Sequence, residues 1–140
     1  MNVAEIMTVK VATAAMDDTL GGIKKIFELK RIHHIPIVEN DRLMGIVSDR
    51  DILINISPYI DTASEDNRAL NTLKKKAHQV MTRRVITVSS EDSIDEAAET
   101  MLKKKISCLP VLALSGEIMG IITKTDLLKC FVEQSQTTAV

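Results

Sequence analysis

The chain is predicted to be an α+β protein built from two βαββα units, and three observations carry that reading. One pattern occurs twice: Met7-Thr8, Val11-x-Thr13, Ile35-Pro36-Ile37-Val38 and Met44-Gly45-Ile46-Val47-Ser48-x-x-Asp51 return as Met81-Thr82, Val85-x-Thr87, Leu109-Pro110-Val111-Leu112 and Met119-Gly120-Ile121-Ile122-Thr123-x-x-Asp126. The offset is 74 residues at the methionines and 75 at the aspartates, which puts one inserted residue in the turn before Met119. A repeat of that length is a whole supersecondary unit rather than a solenoid brick. Within each copy, apolar residues at helical spacing give way to two short apolar runs separated by a polar turn, the signature of a helix followed by a strand pair. Finally, 140 residues and 15.5 kDa suit one substantial core, whereas either half alone has an unfavourable surface-to-volume ratio. The two copies are therefore expected to share a core.

In the first copy Thr19, Leu20, Ile23 and Phe27 mark an amphipathic helix. Its Gly21-Gly22 pair costs roughly 1 kcal/mol per glycine relative to alanine, so the helix is expected to start late or fray. Ile35 to Val38 and Leu43 to Val47 form a strand pair across the turn Glu39-Asn40-Asp41-Arg42. Asn55 to Asn67, with Pro58 and many polar residues, reads as a loop, and Ala69, Leu70, Leu73, Ala77 and Val80 read as one amphipathic helix leading into the second copy. There, Ser93-Ile94-Asp95-Glu96 is a capping box. Ile94, Ala97, Ala98, Met101 and Leu102 follow at helical spacing, and Lys103-Lys104-Lys105 place cations at the negative end of the helix dipole. Leu109 to Leu112 and Ile118 to Ile122 pair across Leu114-Ser115-Gly116-Glu117, with Pro36 and Pro110 near strand starts, where a missing N–H matters least. The expected boundaries are residues 1–60 for the first repeat, 61–80 for a linker and connecting helix, 81–134 for the second repeat and 135–140 for a frayed tail.

Bulk properties exclude several function classes. A net charge of -1 and a pI near 6.3 do not supply the positive field that nucleic acid or an anionic membrane requires. Aromatic residues make up 2% of the chain, leaving few rings on which exposed bases could stack. Cys108 and Cys130 have neither metal-type nor redox-type spacing, which favours a reducing compartment and no disulfide. No basic n-region with an apolar h-region opens the chain, and no apolar run approaches the ~20 residues of a bilayer span. The expectation is a cytoplasmic protein without nucleic-acid or membrane partners.

Each copy ends in one polar device: a strand containing a glycine, then Ser48-x-x-Asp51 or Thr123-x-x-Asp126 at a helix start. A hydroxyl at N-cap and an acid at N3 cap helices everywhere, and the same cap can present the carboxylate to a ligand. Gly45 and Gly120 can let backbone approach a ligand closely. His33 and His34 raise the question of a metal. However, adjacent strand residues point to opposite faces, and no second ligand pair completes the four that zinc takes, so no metal is expected. One histidine is read as packing, and the other as facing a cleft where its protonated form can meet phosphate. Cys108 reads as a small buried residue, since a nucleophile needs a base and an oxyanion site that no motif supplies. Lys74-Lys75-Lys76 and Lys103-Lys104-Lys105 read as solvated faces, and Met7, Met44, Met81, Met101 and Met119 as core.

With Gly-h-h-Ser/Thr-x-x-Asp twice, each preceded by a helix and an h-Pro-h-h strand, the sequence resembles a tandem pair of CBS domains over nearly its whole length. Leu70-Asn71-x-Leu73 before Met81-Thr82 is similar to CBS pairs of the acetoin-utilisation type. The resemblance implies a Bateman module: two repeats related by a pseudo-twofold axis, sheets face to face, with two clefts for adenosine derivatives. Carried over by position, one cleft would use Ser48, Arg50 and Asp51 with Thr87, His34 and Ser107. The other would use Thr123, Thr125 and Asp126 with Thr13, Cys108 and His33.

A carboxylate can accept both vicinal hydroxyls of a ribose, and backbone N–H groups at a helix start can face phosphate. The implied function is regulatory sensing of AMP, ADP, ATP or S-adenosylmethionine, with no required cofactor and no catalytic residues. A homodimer is expected, formed in part through the helices after the aspartates, including Ile52-Leu53 and Leu127-Leu128, with output to the mate or to a separate effector protein. The alternative is a structural dimerisation module with empty clefts. An enzyme is disfavoured because no nucleophile, base and electrophile group assembles. The Asp51 cleft, with Arg50 and His34 against Thr125 and Cys108, is expected to be the tighter site for a phosphorylated ligand.

Overall fold

The computed structural model describes residues 1–138. In chain order the elements are α1 (Val3–Ile6), α2 (Leu20–Lys30), β1 (His34–Glu39), β2 (Arg42–Ser48), α3 (Asp49–Asn55), α4 (Asn67–Thr72), α5 (Ala77–Val80), β3 (Val88–Ser89), α6 (Ile94–Lys104), β4 (Cys108–Leu112), β5 (Ile118–Thr123) and α7 (Lys124–Thr138). The fold is α+β, with one sheet in each of two compact units. The units are not the two halves of the chain. The first comprises Ala12–Arg84, and the second joins Met1–Val11 to the chain from Val85 onward.

In the first unit β1 and β2 form an antiparallel hairpin whose turn residues Asn40 (φ 52°) and Asp41 (φ 64°) are both left-handed. Two-residue hairpins require that conformation, and Asn and Asp tolerate it well. In the second unit β3 pairs parallel with β4, and β4 antiparallel with β5. Four residues separate Val38 from its partner Leu43, and five separate Leu112 from Ile118, so the inserted residue does lie in the turn, which Gly116 closes at φ 90°.

The first repeat lacks a full counterpart of β3, and a single parallel bridge joins Ala14 to Ile37. Alanine is a poor strand former, and the chain turns at once, with Asp18 Oδ2 accepting from Ala15 N at 2.8 Å.

Helix α2 corrects the expectation of a late or frayed start. It begins at Leu20, and Thr19 Oγ1 accepts from Gly22 N at 3.2 Å. Leu20 N and Gly21 N donate to Lys75 O (2.8 Å) and Leu73 O (3.0 Å), so donors that a helix start leaves orphaned are satisfied by a neighbouring segment. A Cβ on Gly21 would lie 3.4 Å from Leu73 Cβ and O. The glycine thus lets that segment come close, and the contact offsets the propensity cost.

The same interaction breaks the connecting helix that the periodicity predicts. Leu73 to Lys76 leave helical pairing to serve α2, and two short helices, α4 and α5, stand in place of one.

A matching exchange occurs in both units. The segment before Met81 packs on the first repeat: Ala77 N donates to Asp18 O (2.8 Å), His78 N to Met16 O (3.1 Å), and Thr82 pairs with Ile46 through N–H···O bonds of 2.9 and 3.0 Å. Residues 1–8 do the same for the second repeat: Val3 N donates to Asp92 O (2.8 Å), Ala4 N to Ser90 O (3.0 Å), and Thr8 pairs with Ile121 at 2.8 and 3.0 Å. Each sheet therefore gains an edge contact from the Met-Thr that opens the other sequence repeat.

Among the described residues each unit carries its own cluster of buried apolar side chains. One includes Leu20, Ile23, Phe27, Ile35, Ile37, Val47, Ile52, Ala77 and Met81; the other includes Val3, Ile94, Met101, Leu109, Val111, Ile122, Leu127 and Cys130. The exchanged segments contribute to both, since Ala77 and Met81 complete one cluster and Val3 the other. Helix α7 continues to Thr138, through most of the tail expected to fray, and Ala139 and Val140 lie outside the described residues. Among the described residues no helix is long and apolar enough to cross a membrane.

Candidate functional site

Strand pairing places His34 opposite Ser48 and Cys108 opposite Thr123. At each place the chain passes from strand into helix, and the carbonyl of the residue just before the partner strand takes the first helical amide: Asp49 N donates to His33 O (2.9 Å) and Lys124 N to Ser107 O (3.0 Å). The first unit thus gathers His33, His34, Ser48, Arg50 and Asp51 around the start of α3. The second gathers Ser107, Cys108, Thr123, Thr125 and Asp126 around the start of α7.

Both aspartates act as caps. Ser48 N donates to Asp51 Oδ2 (2.8 Å) and Asp51 N to Ser48 Oγ (3.1 Å). Thr123 N and Oγ1 donate to Asp126 Oδ2 at 2.9 and 3.1 Å, and Asp126 N to Thr123 Oγ1 at 3.2 Å. A carboxylate has about four lone-pair sites. Asp51 keeps Oδ1, to which no described residue donates, and half of Oδ2. On Asp126, Oδ2 already accepts twice, and Oδ1 is approached by Thr8 Oγ1 at 3.5 Å. The two half-buried carboxylates therefore differ in remaining acceptor capacity, a difference that sequence alone did not reveal.

Cationic groups are uneven as well. Arg50 is exposed. His33 Nδ1 lies 2.8 Å from Asp49 Oδ2, an exposed pair whose contribution to stability is small; the His33 hydrogen bond holds the Asp49 carboxyl below its usual range. His34 is half-buried, and loss of hydration lowers its pKa despite the opposing pull of Asp49 and Asp51. Its neutral form is favoured, which weakens the case for a standing imidazolium at this device. Cys108 is buried, and desolvation followed by the Asp126 charge pushes its thiol up to about 12, consistent with a packing role.

Thr87 lines a hollow of about 310 Å³ with Val88, Ser89, Asp92, Leu112, Ala113 and Leu114. None of these belongs to the Asp126 device. Thr13 is exposed beside the Ala14 bridge.

Gly45 and Gly120 have a role other than admitting a ligand. A Cβ on Gly45 would fall 2.6 Å from Met81 Sδ and 2.8 Å from Thr82 O; one on Gly120 would fall 2.7 Å from Thr8 O and 2.9 Å from Met7 Sδ. The close approach is made by the chain itself. The role of Thr8 escaped the sequence reading, although the recurrence of Met-Thr was the signal for it. Among the described residues no group of three His, Cys, Asp or Glu side chains could hold a metal ion.

The CBS domain family model matches residues 3–58 and 77–133. A CBS domain-containing protein of Dictyostelium discoideum is 32% identical over 134 residues, covering 94% of this chain and 91% of its own. The crystal structure of a protein described as an acetoin utilization protein (AcuB) from Vibrio cholerae superposes with a TM-score of 0.81 at 31% identity, over 97% of this chain and 93% of that one. The CBS domain pair of protein MJ0100, solved in complex with 5′-methylthioadenosine and S-adenosyl-L-methionine, gives a TM-score of 0.78 at 29% identity, over 96% and 98% of the two chains. Some curated relatives are longer, and the chain spans 39%, 22% and 24% of three of them. With two family matches that coincide with the duplicated pattern, the chain belongs to the CBS domain family and carries two CBS repeats.

Proposed function

We propose that this CBS pair is a non-enzymatic regulatory module that binds an adenosyl ligand at its Ser/Thr-x-x-Asp devices. The observation that carries the reading is the half-buried Asp51, fixed through one oxygen by its cap with the other left unpartnered at the start of a helix. Such a group can take ribose hydroxyls without giving up its structural bond. The likeness to a CBS pair in complex with 5′-methylthioadenosine and S-adenosyl-L-methionine supports the ligand class, and AMP, ADP and ATP share the same diol.

In this reading Ser48, Arg50, Asp51 and His34 serve one site, and Thr123, Thr125, Asp126 and Cys108 the other. Thr13, His33, Thr87 and Ser107 are further ligand contacts. The Asp51 site is the tighter one for a phosphorylated ligand, because exposed Arg50 can turn to phosphate. The module works in the cytoplasm and passes occupancy to a second copy or a separate effector.

A thermal-shift panel of AMP, ADP, ATP, S-adenosylmethionine and NAD tests this, since a ligand at 100 times its Kd adds about 2.7 kcal/mol of stability. The shift should fall in Asp51→Ala and Asp126→Ala, and more in the former for AMP. A panel without any shift favours a structural dimerisation module. That second reading has its own support. Leu53 (75% exposed) and Leu128 (64%) are apolar residues without cover, whereas Ile52 and Leu127, expected beside them at a dimer contact, are buried in their own units. The second unit also has an apolar hollow of about 240 Å³ lined by Ala98, Met101, Leu102, Lys124, Leu127, Leu128 and Phe131.

A further inference from the structure

The two devices match in their caps and differ in one side-chain contact. Thr8 Oγ1 donates to Asp126 Oδ1 at 3.5 Å. Thr82 holds the matching place beside the Asp51 device, yet among the described residues its hydroxyl does not donate to Asp51. Both threonines are held by the same antiparallel backbone bridge, Thr8 to Ile121 and Thr82 to Ile46, with N–H···O distances between 2.8 and 3.0 Å. The backbone pairing is thus the same at both places, and the difference lies in the side-chain contact. At Asp126 it falls on the oxygen that matters, because Oδ2 already accepts from Thr123 N and Oγ1.

We propose that Thr8 sets the affinity of the Asp126 device, its hydroxyl competing with ligand ribose hydroxyls for Asp126 Oδ1. The inference rests on the ligand-binding reading above. At 3.5 Å the contact is far longer than a strong O–H···O⁻ bond of about 2.5–2.7 Å, so a ligand hydroxyl that closes to normal distance displaces it. Thr8 sets a threshold and does not bar the site. The Asp51 device has no such competitor and fills at lower ligand concentration.

The test titrates AMP and S-adenosylmethionine calorimetrically into the full chain carrying Asp51→Ala, which leaves the Asp126 device alone, with and without Thr8→Val. Valine keeps the branched shape and backbone bridge and removes the donor. Thr8→Ala, which introduces no new atom, serves if the valine chain folds poorly. Affinity should rise ~threefold to tenfold, as expected for losing one weak hydrogen bond to a charged acceptor. Thr82→Val in the Asp126→Ala chain should leave affinity within about twofold. Unchanged affinity on removing the Thr8 hydroxyl overturns the proposal, and so does weaker binding, which would make Thr8 a ligand contact. If Asp51→Ala alone abolishes binding, recovery with Thr8→Val supports it and failure to recover overturns it. Absence of binding by the unsubstituted chain brings down the ligand-binding reading itself, which separates the two failures.

Discussion

Gly120→Ala should loosen the N-terminal segment from the second unit and cost about 1–3 kcal/mol. The added Cβ would sit 2.7 Å from Thr8 O and 2.9 Å from Met7 Sδ. The methionine can swing away, but the carbonyl cannot, because it accepts from Ile121 N (3.0 Å) while Thr8 N donates to Ile121 O (2.8 Å), which pins the residue on both sides. If the bridge opens, two backbone hydrogen bonds at about 1 kcal/mol each are lost, together with some contact of Met7 on the core. If it holds, the strain is of the size seen when a methyl group is forced into a packed core, about 1–3 kcal/mol. Urea denaturation gives the total change. Native-state hydrogen exchange gives its location, with the Thr8 and Ile121 amides expected to lose protection before those of β4. A loss below about 0.5 kcal/mol, the level of an ordinary surface substitution, would refute the claim that Gly120 exists to admit this segment.

Four further outcomes are expected. Gly22→Ala should be neutral or stabilising by up to about 1 kcal/mol, because its Cβ would meet only Thr19 Oγ1 at 3.5 Å and helix propensity improves; thermal unfolding checks this. Thr19→Ala removes the Gly22 N acceptor and should cost about 1 kcal/mol in urea denaturation. The lowered His34 pKa predicts a pH dependence. The unfolded chain takes up this proton first as pH falls below about 6.5, so stability contributed by neutral His34 declines through that value until the folded form also protonates, and His34→Gln should flatten urea midpoints between about pH 7.5 and about pH 5. Cys108, with its thiol pushed up to about 12, should resist iodoacetamide at about pH 8 in the native state and react after denaturation.

The duplicated motifs, the order of elements, the turn that carries the inserted residue and the Ser/Thr-x-x-Asp caps were all legible in the sequence, because each depends on interactions within a few residues. Local reasoning went astray at Gly21-Gly22 and at the connecting helix, and for one cause. The chain around Leu73–Lys76 gives up helical hydrogen bonds to satisfy the start of α2, a long-range trade that periodicity cannot register. The pattern also leaves open what the bare backbone at Gly45 and Gly120 admits, and in the fold the missing side chains make room for Met81-Thr82 and Met7-Thr8. The amino-acid sequence by itself determined that there are two like units with two like carboxylates, since capping and hydrophobic patterning are local. Only the tertiary structure decided which segment completes which unit, and that Asp126 meets Thr8 while Asp51 keeps an oxygen unpartnered, because such contacts join residues 118 positions apart whose proximity no local pattern encodes.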